Sequence, residues 1–134
     1  MRRVSLNEDG CMDLALDQSS NYIMTKWYGQ SLAVFEESAF QRYLNQLDTR
    51  FKDNGNGRSV IRYFLSAAVT AMEGTGGGWI LPDELREYAV PGGDPLFCEA
   101  CPDNVQYKDS MPVCLLASEA HMASALEQTQ ERHG

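Results

Sequence analysis

The pattern "LNEDGCMDLAL" near the start of the chain returns as "MEGTGGGWILP" past its middle, and "SLAVFEESAFQRYLNQL" returns as "VCLLASEAHMASALEQT" near the end. In the second pairing Glu37 falls on Glu119, Phe40 on Met122, Leu44 on Leu126 and Gln46 on Gln128. A turn-bearing hairpin, a strand pair and a helix therefore occur twice. A unit this short has too little apolar surface to enclose a core alone, so the two copies are expected to share one about a pseudo-twofold axis. The expected fold is α+β: two pseudo-symmetric units of β-hairpin and helix around a small barrel-like sheet, with the helices outside. The expected divisions are a first half over 1–52, a central helix connector over 53–72 and a second half over 73–134. With 134 residues, 43% of them hydrophobic, the chain can bury such a core without disulfides.

Periodicity fills in the elements. Val4, Leu6 and Met12, Leu14 alternate on either side of "NEDG", which predicts a hairpin. Tyr22 to Trp27 and Ser31 to Phe35 form a second strand pair around "YGQ". Phe40, Tyr43, Leu44, Leu47 and Phe51 recur at helical spacing, with Glu36 and Glu37 suited to the first turn and Lys52 to the last. "NGNG" ends that helix, and "RSVIRYFLSAAVTAM" predicts a second one packed antiparallel to it. "PDELREYAV" reads as a short helix opened by Pro82, "PLFCEAC" and "VCLLA" as strands, and "SEAHMASALEQTQ" as a final helix.

The glycines Gly74, Gly76, Gly77 and Gly78 admit two readings. A glycine-rich turn can aim backbone N–H groups at a phosphate. Neither a P-loop lysine nor a complete G-x-G-x-x-G is present, and the nearest basic residue downstream is Arg86, so a tight hairpin turn is the preferred reading.

Charge is unevenly divided. Up to Arg62 eight basic residues balance eight acidic ones, whereas from Tyr63 onward three basic residues face 11 acidic ones, a net of −8. The second half repels polyanions, so contact with nucleic acid falls to the first, where Arg2, Arg3 and Lys26 are the candidate basic face. Arg58 and Arg62, four apart on one helix face, are expected to pair with acids of the same chain or a neighbouring subunit. No run approaches the length of a membrane span or a signal peptide, and the expected location is cytoplasmic.

Four cysteines in such a chain are expected to be free thiols. Cys98 and Cys101 have the spacing of half a zinc site. Cys11, Cys114, His121 and His133 supply no second pair, and residues three apart in a strand face opposite ways, so no metal or cofactor is expected. The two histidines, both near the C-terminus, assemble no catalytic set, and no enzymatic activity is expected.

Taken together, "SLNEDGCMDLA", "SLAVFEESAF", "RSVIRYFLSAA" and "MEGTGGGWILPDELREYA" resemble, in order and spacing over nearly the whole chain, the MraZ family of bacterial regulators, which carry two AbrB-like swapped-hairpin units in one polypeptide. The resemblance implies a ring-forming, nucleoid-associated regulator that binds double-stranded promoter DNA of the cell-division and cell-wall cluster through its two turns. It marks Asn7, Gly10, Gly76 and Gly77 as DNA-facing, beside Arg2, Arg3 and Lys26. The family's turn has an acid followed four residues later by an arginine. Here those positions read Asn7 and Cys11, then Glu73 and Gly77, while Gly10, Gly76 and Pro82 keep the pattern and Ala15 stands in the first copy's proline position. Two other readings remain open: an assembly module that keeps the fold but does not bind DNA, and a metal- or thiol-responsive regulator using Cys98 and Cys101.

Overall fold

The computed structural model describes residues 1–50, 62, 66–101 and 108–133. Its central layer is a sheet of six strands: β1 (Arg2–Arg3), β3 (Tyr22–Trp27), β4 (Ser31–Glu36), β5 (Val69–Thr70), β7 (Phe97–Ala100) and β8 (Cys114–Ala117), in the order β1-β7-β8-β4-β3-β5. Every neighbouring pair in it is antiparallel. Two further short strands, β2 (Cys11–Met12) and β6 (Trp79–Ile80), pair with each other as a separate ribbon. The helices with described bounds are α1 (Glu37–Arg50), α2 (Asp83–Ala89) and α3 (Glu119–His133), with two single-turn 3-10 helices at Thr75–Gly77 and Lys108–Ser110.

Strand alternation explains the layering. Leu32 and Val34 of β4, with Cys114 and Leu116 of β8, face one core together with Met12, Trp79, Leu81 and Leu85. Ala33 and Phe35, with Leu115 and Ala117, face the other core, where Phe40, Tyr43, Leu44 and Leu47 of α1 meet Met122 and Ala125 of α3. These central strands are buried on both faces, which is why they read as continuous apolar runs. The ribbon and α2 thus cover one face of the sheet, and α1 and α3 cover the other.

Polar side chains tie the layers. Trp27 Nε1 donates to Thr129 Oγ1 at 2.7 Å, and Thr129 in turn donates to the Ala125 carbonyl at 2.7 Å, so a buried indole N–H and a mid-helix hydroxyl satisfy each other. Tyr88 of α2 donates to the Trp27 carbonyl at 2.8 Å. The Tyr28 and Tyr43 hydroxyls lie 3.1 Å apart at the end of the β3–β4 hairpin.

The structure corrects three expectations. The sheet and the ribbon do not close into a barrel. The hairpin around "NEDG" is shorter than expected: Asn7–Cys11 and Asp13–Ser5 hydrogen bonds and the Leu6–Met12 bridge close it, but Val4 turns away to the Leu96 carbonyl, and β1 pairs with β7 and β2 with β6. The helix expected to run to Met72 gives way to strand at Val69–Thr70, because Met24 and Ile23 of β3 offer an unpaired edge there. Arg62, Ser66 and Ala67 are helical, while Arg58, the rest of that helix and the "NGNG" segment lie outside the described residues. Among the described residues, no helix is long and apolar enough to cross a membrane.

Candidate nucleic-acid interface

The two turns marked by the resemblance lie side by side. In the first, the Asn7 N–H donates to the Cys11 carbonyl at 3.0 Å and the Gly10 N–H to the Asn7 carbonyl at 3.0 Å. The Asn7 side-chain oxygen accepts from the N–H groups of Asp9 at 2.9 Å and Cys11 at 3.0 Å, a local side-chain turn that favours Asn over an apolar residue. Gly10 holds φ at 76°, where a side chain is strained.

The second turn repeats the backbone bonds without the side chain. Gly74 donates to the Gly78 carbonyl at 2.7 Å, and Ile80 donates to the Met72 carbonyl at 2.9 Å as Asp13 does to Ser5 at 3.0 Å. Asn7 and Cys11 thus correspond to Gly74 and Gly78, and Gly10 with its positive φ corresponds to Gly77, φ 81°. This corrects the expected alignment by one residue. The position matching Cys11 is Gly78, not Gly77, and Gly74 rather than Glu73 matches Asn7.

Close packing explains the glycines. A Cβ on Gly74 would overlap the Cys11 sulfur, and one on Gly78 would stand 2.9 Å from Cys11 Cβ and 3.1 Å from the Met12 carbonyl oxygen. The glycine run lets the second turn lie against the buried Cys11 of the first, and the ribbon pairs Cys11 with Ile80 and Met12 with Trp79 just below. Gly76 and Gly77 sit exposed at the tip, the former within 3.9 Å of the Asn7 amide nitrogen when given a Cβ. The steric demand supports the turn reading of the cluster over a phosphate cradle.

The charge around this face is negative. Glu8, Asp9 and Asp13 are exposed at the first turn and Glu73 at the second. No lysine or arginine occurs between Ser5 and Leu16 or between Met72 and Pro82. Beside these acids stand three exposed apolar side chains, Leu6 at 44%, Ile80 at 40% and Met72 at 62%.

The cations expected to form one basic face are engaged in different places. Arg2 donates to the Asp13 carbonyl at 2.9 Å and its guanidinium lies 3.8 Å from the Asp13 carboxylate, so it braces the strand leaving the first turn. Arg3, adjacent on β1, points into a separate open groove that it shares with Arg86, Glu87 and Asp94. Lys26 reaches α2: its ammonium is 3.5 Å from Glu84 and 5.3 Å from the Tyr88 ring centre, with only 22% of its side chain exposed. The neighbouring Arg86, unassigned by the sequence reading, faces Asp83 at 3.4 Å on the same helix.

The cysteines also separate. Cys98 packs with the ribbon-side core and Cys101 with the helix-side core, on opposite faces of β7 as their spacing predicts. Among the described residues, no group of three or more His, Cys, Asp or Glu could hold a metal ion. Sequence spacing drew attention to Cys98 and Cys101, but the sheet register places Cys98 beside Cys114 instead. No protein-family model matches the chain, and no curated protein matches its sequence.

Proposed function

We propose that the chain is two copies of one swapped-hairpin unit, of the MraZ-like kind, and that it acts by protein association through its turn face and not by gripping DNA there. The duplication is supported by register. The sheet order reads the same from either end when β1 is matched with β5, β7 with β3 and β8 with β4. Arg2 opposite Cys98 answers Met24 opposite Val69, and Arg3 opposite Phe97 answers Ile23 opposite Thr70. Leu32–Leu116 and Val34–Cys114 exchange about the Ala33–Leu115 pair. A twofold axis through Ala33–Leu115 and through Met12–Trp79 accounts for all of these pairings.

The observation that carries the functional reading is the character of the paired turns: four exposed acids, of which Asp13 is paired with Arg2, no lysine or arginine within the turn segments themselves, and three exposed apolar side chains. Phosphate binding draws on Lys and Arg whose contacts release counterions, and a carboxylate-lined face opposes it. Exposed apolar groups ringed by charge suit a protein partner. Because this face is acidic, two copies of it repel. Association through it takes a surface with cations on the next copy, such as the groove in which Arg3 and Arg86 stand beside Glu87 and Asp94, and a head-to-tail contact of that kind gives a ring where the rotation between neighbours closes.

A second reading is a multimeric transcriptional regulator of the division cluster that binds DNA through Arg2, Arg3 and neighbouring cations. It is favoured by the exposure of both arginines on one edge strand. One experiment separates the two: light scattering of the purified protein, with fluorescence anisotropy on division-cluster promoter DNA at two salt concentrations. The association reading predicts a multimer that Met72→Asp dissociates, and no DNA binding at micromolar protein. Salt-sensitive binding weakened by Arg2→Ala or Arg3→Ala establishes the regulator instead. A monomer that binds no DNA contradicts both.

A further inference from the structure

β7 places Cys98 directly opposite Arg2 of β1 and diagonally across the β8 ladder from Cys114, since Cys98 pairs with Leu116 and Ala100 with Cys114. Both side chains face the ribbon-side core, and the interaction between the two thiols lowers Cys98 and raises Cys114. Cys98 is half-buried, Cys114 is buried, and both line a groove of about 420 Å³ walled by Arg2, Leu14, Leu16 and Val113. The opening admits a small molecule to a sulfur that already has a second sulfur within reach.

We propose that Cys98 and Cys114 form an oxidisable thiol pair, in which Cys98 attacks a hydroperoxide entering this groove and Cys114 resolves the product to a disulfide. In the first step the Cys98 thiolate attacks the terminal oxygen of the hydroperoxide. An S–O bond forms, the O–O bond breaks, and the alkoxide leaves and takes a proton from water. Sulfur gives up two electrons and the peroxide gains them. In the second step the Cys114 sulfur displaces the sulfenic oxygen, which departs as water carrying its own proton and that of the Cys114 thiol.

The surroundings divide the roles. The interaction with Cys114, with help from Arg2, brings the Cys98 thiol down to about 7 against the opposing pull of burial and of Glu99. Glu99 itself lies 2.7 Å from the Met1 amine. The interaction with Cys98 and burial push Cys114 well up, so Cys98 is the thiolate of the pair and Cys114 the thiol. Cys101, on the other face of β7, is pushed up to about 12 by burial and by the nearby Cys98 and Glu99. The thiolate is the reactive form, so the three sites differ in reactivity. Diagonal neighbours in a ladder stand about 7–8 Å apart at Cα, a little beyond the usual disulfide span of roughly 4.4–6.8 Å. Closing the bond therefore shifts β7 against β8, and with it the β7–β1 seam.

The test uses the full chain. Brief iodoacetamide labelling at pH 7 with peptide mapping needs no variant, and Cys98 is expected to label at least about tenfold faster than Cys101. Treatment with limiting hydrogen peroxide is expected to produce a Cys98–Cys114 disulfide in the unaltered protein and, in Cys114→Ser, a dimedone adduct at Cys98. Equal or faster labelling of Cys101 overturns the assignment. So does a dimedone adduct at Cys98 of the unaltered protein without the disulfide, because Cys114 would then not resolve it.

Discussion

The two turns share a backbone and differ in what fills the space between them. Asn7 supplies a side chain that ties the first turn to itself, whereas Gly74 at the matching position supplies none. Cys11 projects into the gap, and its counterpart Gly78 leaves it open. The space between turns is thus filled once, from one side, by a single sulfur. Equivalent backbones need not be filled equivalently, and the glycine run is the counterpart of Cys11 rather than a binding loop in its own right.

The largest effect is expected where that filling is contested. Gly74→Ala should destabilise the fold by about 2–3 kcal/mol in urea denaturation, since the new methyl competes with the Cys11 sulfur in a packed site. Cys11→Ala should recover at least about 1 kcal/mol of that loss in the double variant. Additive losses would show that the turns are not locked through this contact.

Removing the first turn's own brace comes next. Asn7→Ala loses two side-chain hydrogen bonds and should cost about 1–2 kcal/mol, while Asn7→Asp, which keeps the acceptor, should cost less than half as much. If both variants cost the same, the side chain is not what holds the turn.

The smallest effect concerns the backbone that the two turns share. Gly10 and Gly77 both hold positive φ with open space around the missing Cβ, so alanine at either should cost about 1 kcal/mol from backbone strain alone. Matching losses show that the two positions share one backbone conformation, whereas the register itself rests on the Gly74–Gly78 and Ile80–Met72 hydrogen bonds. A much larger loss at Gly77 than at Gly10 would contradict that equivalence.

Much of the fold was legible in the residues. Helical spacing marked α1, alternating or continuous apolar runs marked β3, β4 and β8, and Pro82 marked the start of α2. The two-residue strands were not legible. Val69–Thr70 has no pattern of its own and is strand only because β3 presents an edge to it. The slip in aligning the turns has a similar cause: in "GTGGG" one glycine looks like the next, and only the hydrogen bonds from Gly74 to Gly78 and from Ile80 to Met72 set the register. Arg2, Arg3 and Lys26 were visible as cations, but their separation depended on Asp13, Arg86 and Glu84, which arrive from distant parts of the chain. The C-x-x-C spacing was equally visible, while the partner of Cys98 came from the neighbouring strand.

The proposed function requires that the acidic paired-turn face, which the family resemblance would turn toward DNA, does not bind it. Backbone amide NMR of the labelled protein, titrated with duplex promoter DNA at low salt, tests it at the residues concerned. The account predicts that the amides of residues 7–11 and 74–78 do not shift under conditions that maximise electrostatic binding. Progressive, saturable shifts at those amides, reversed by added salt, would contradict it.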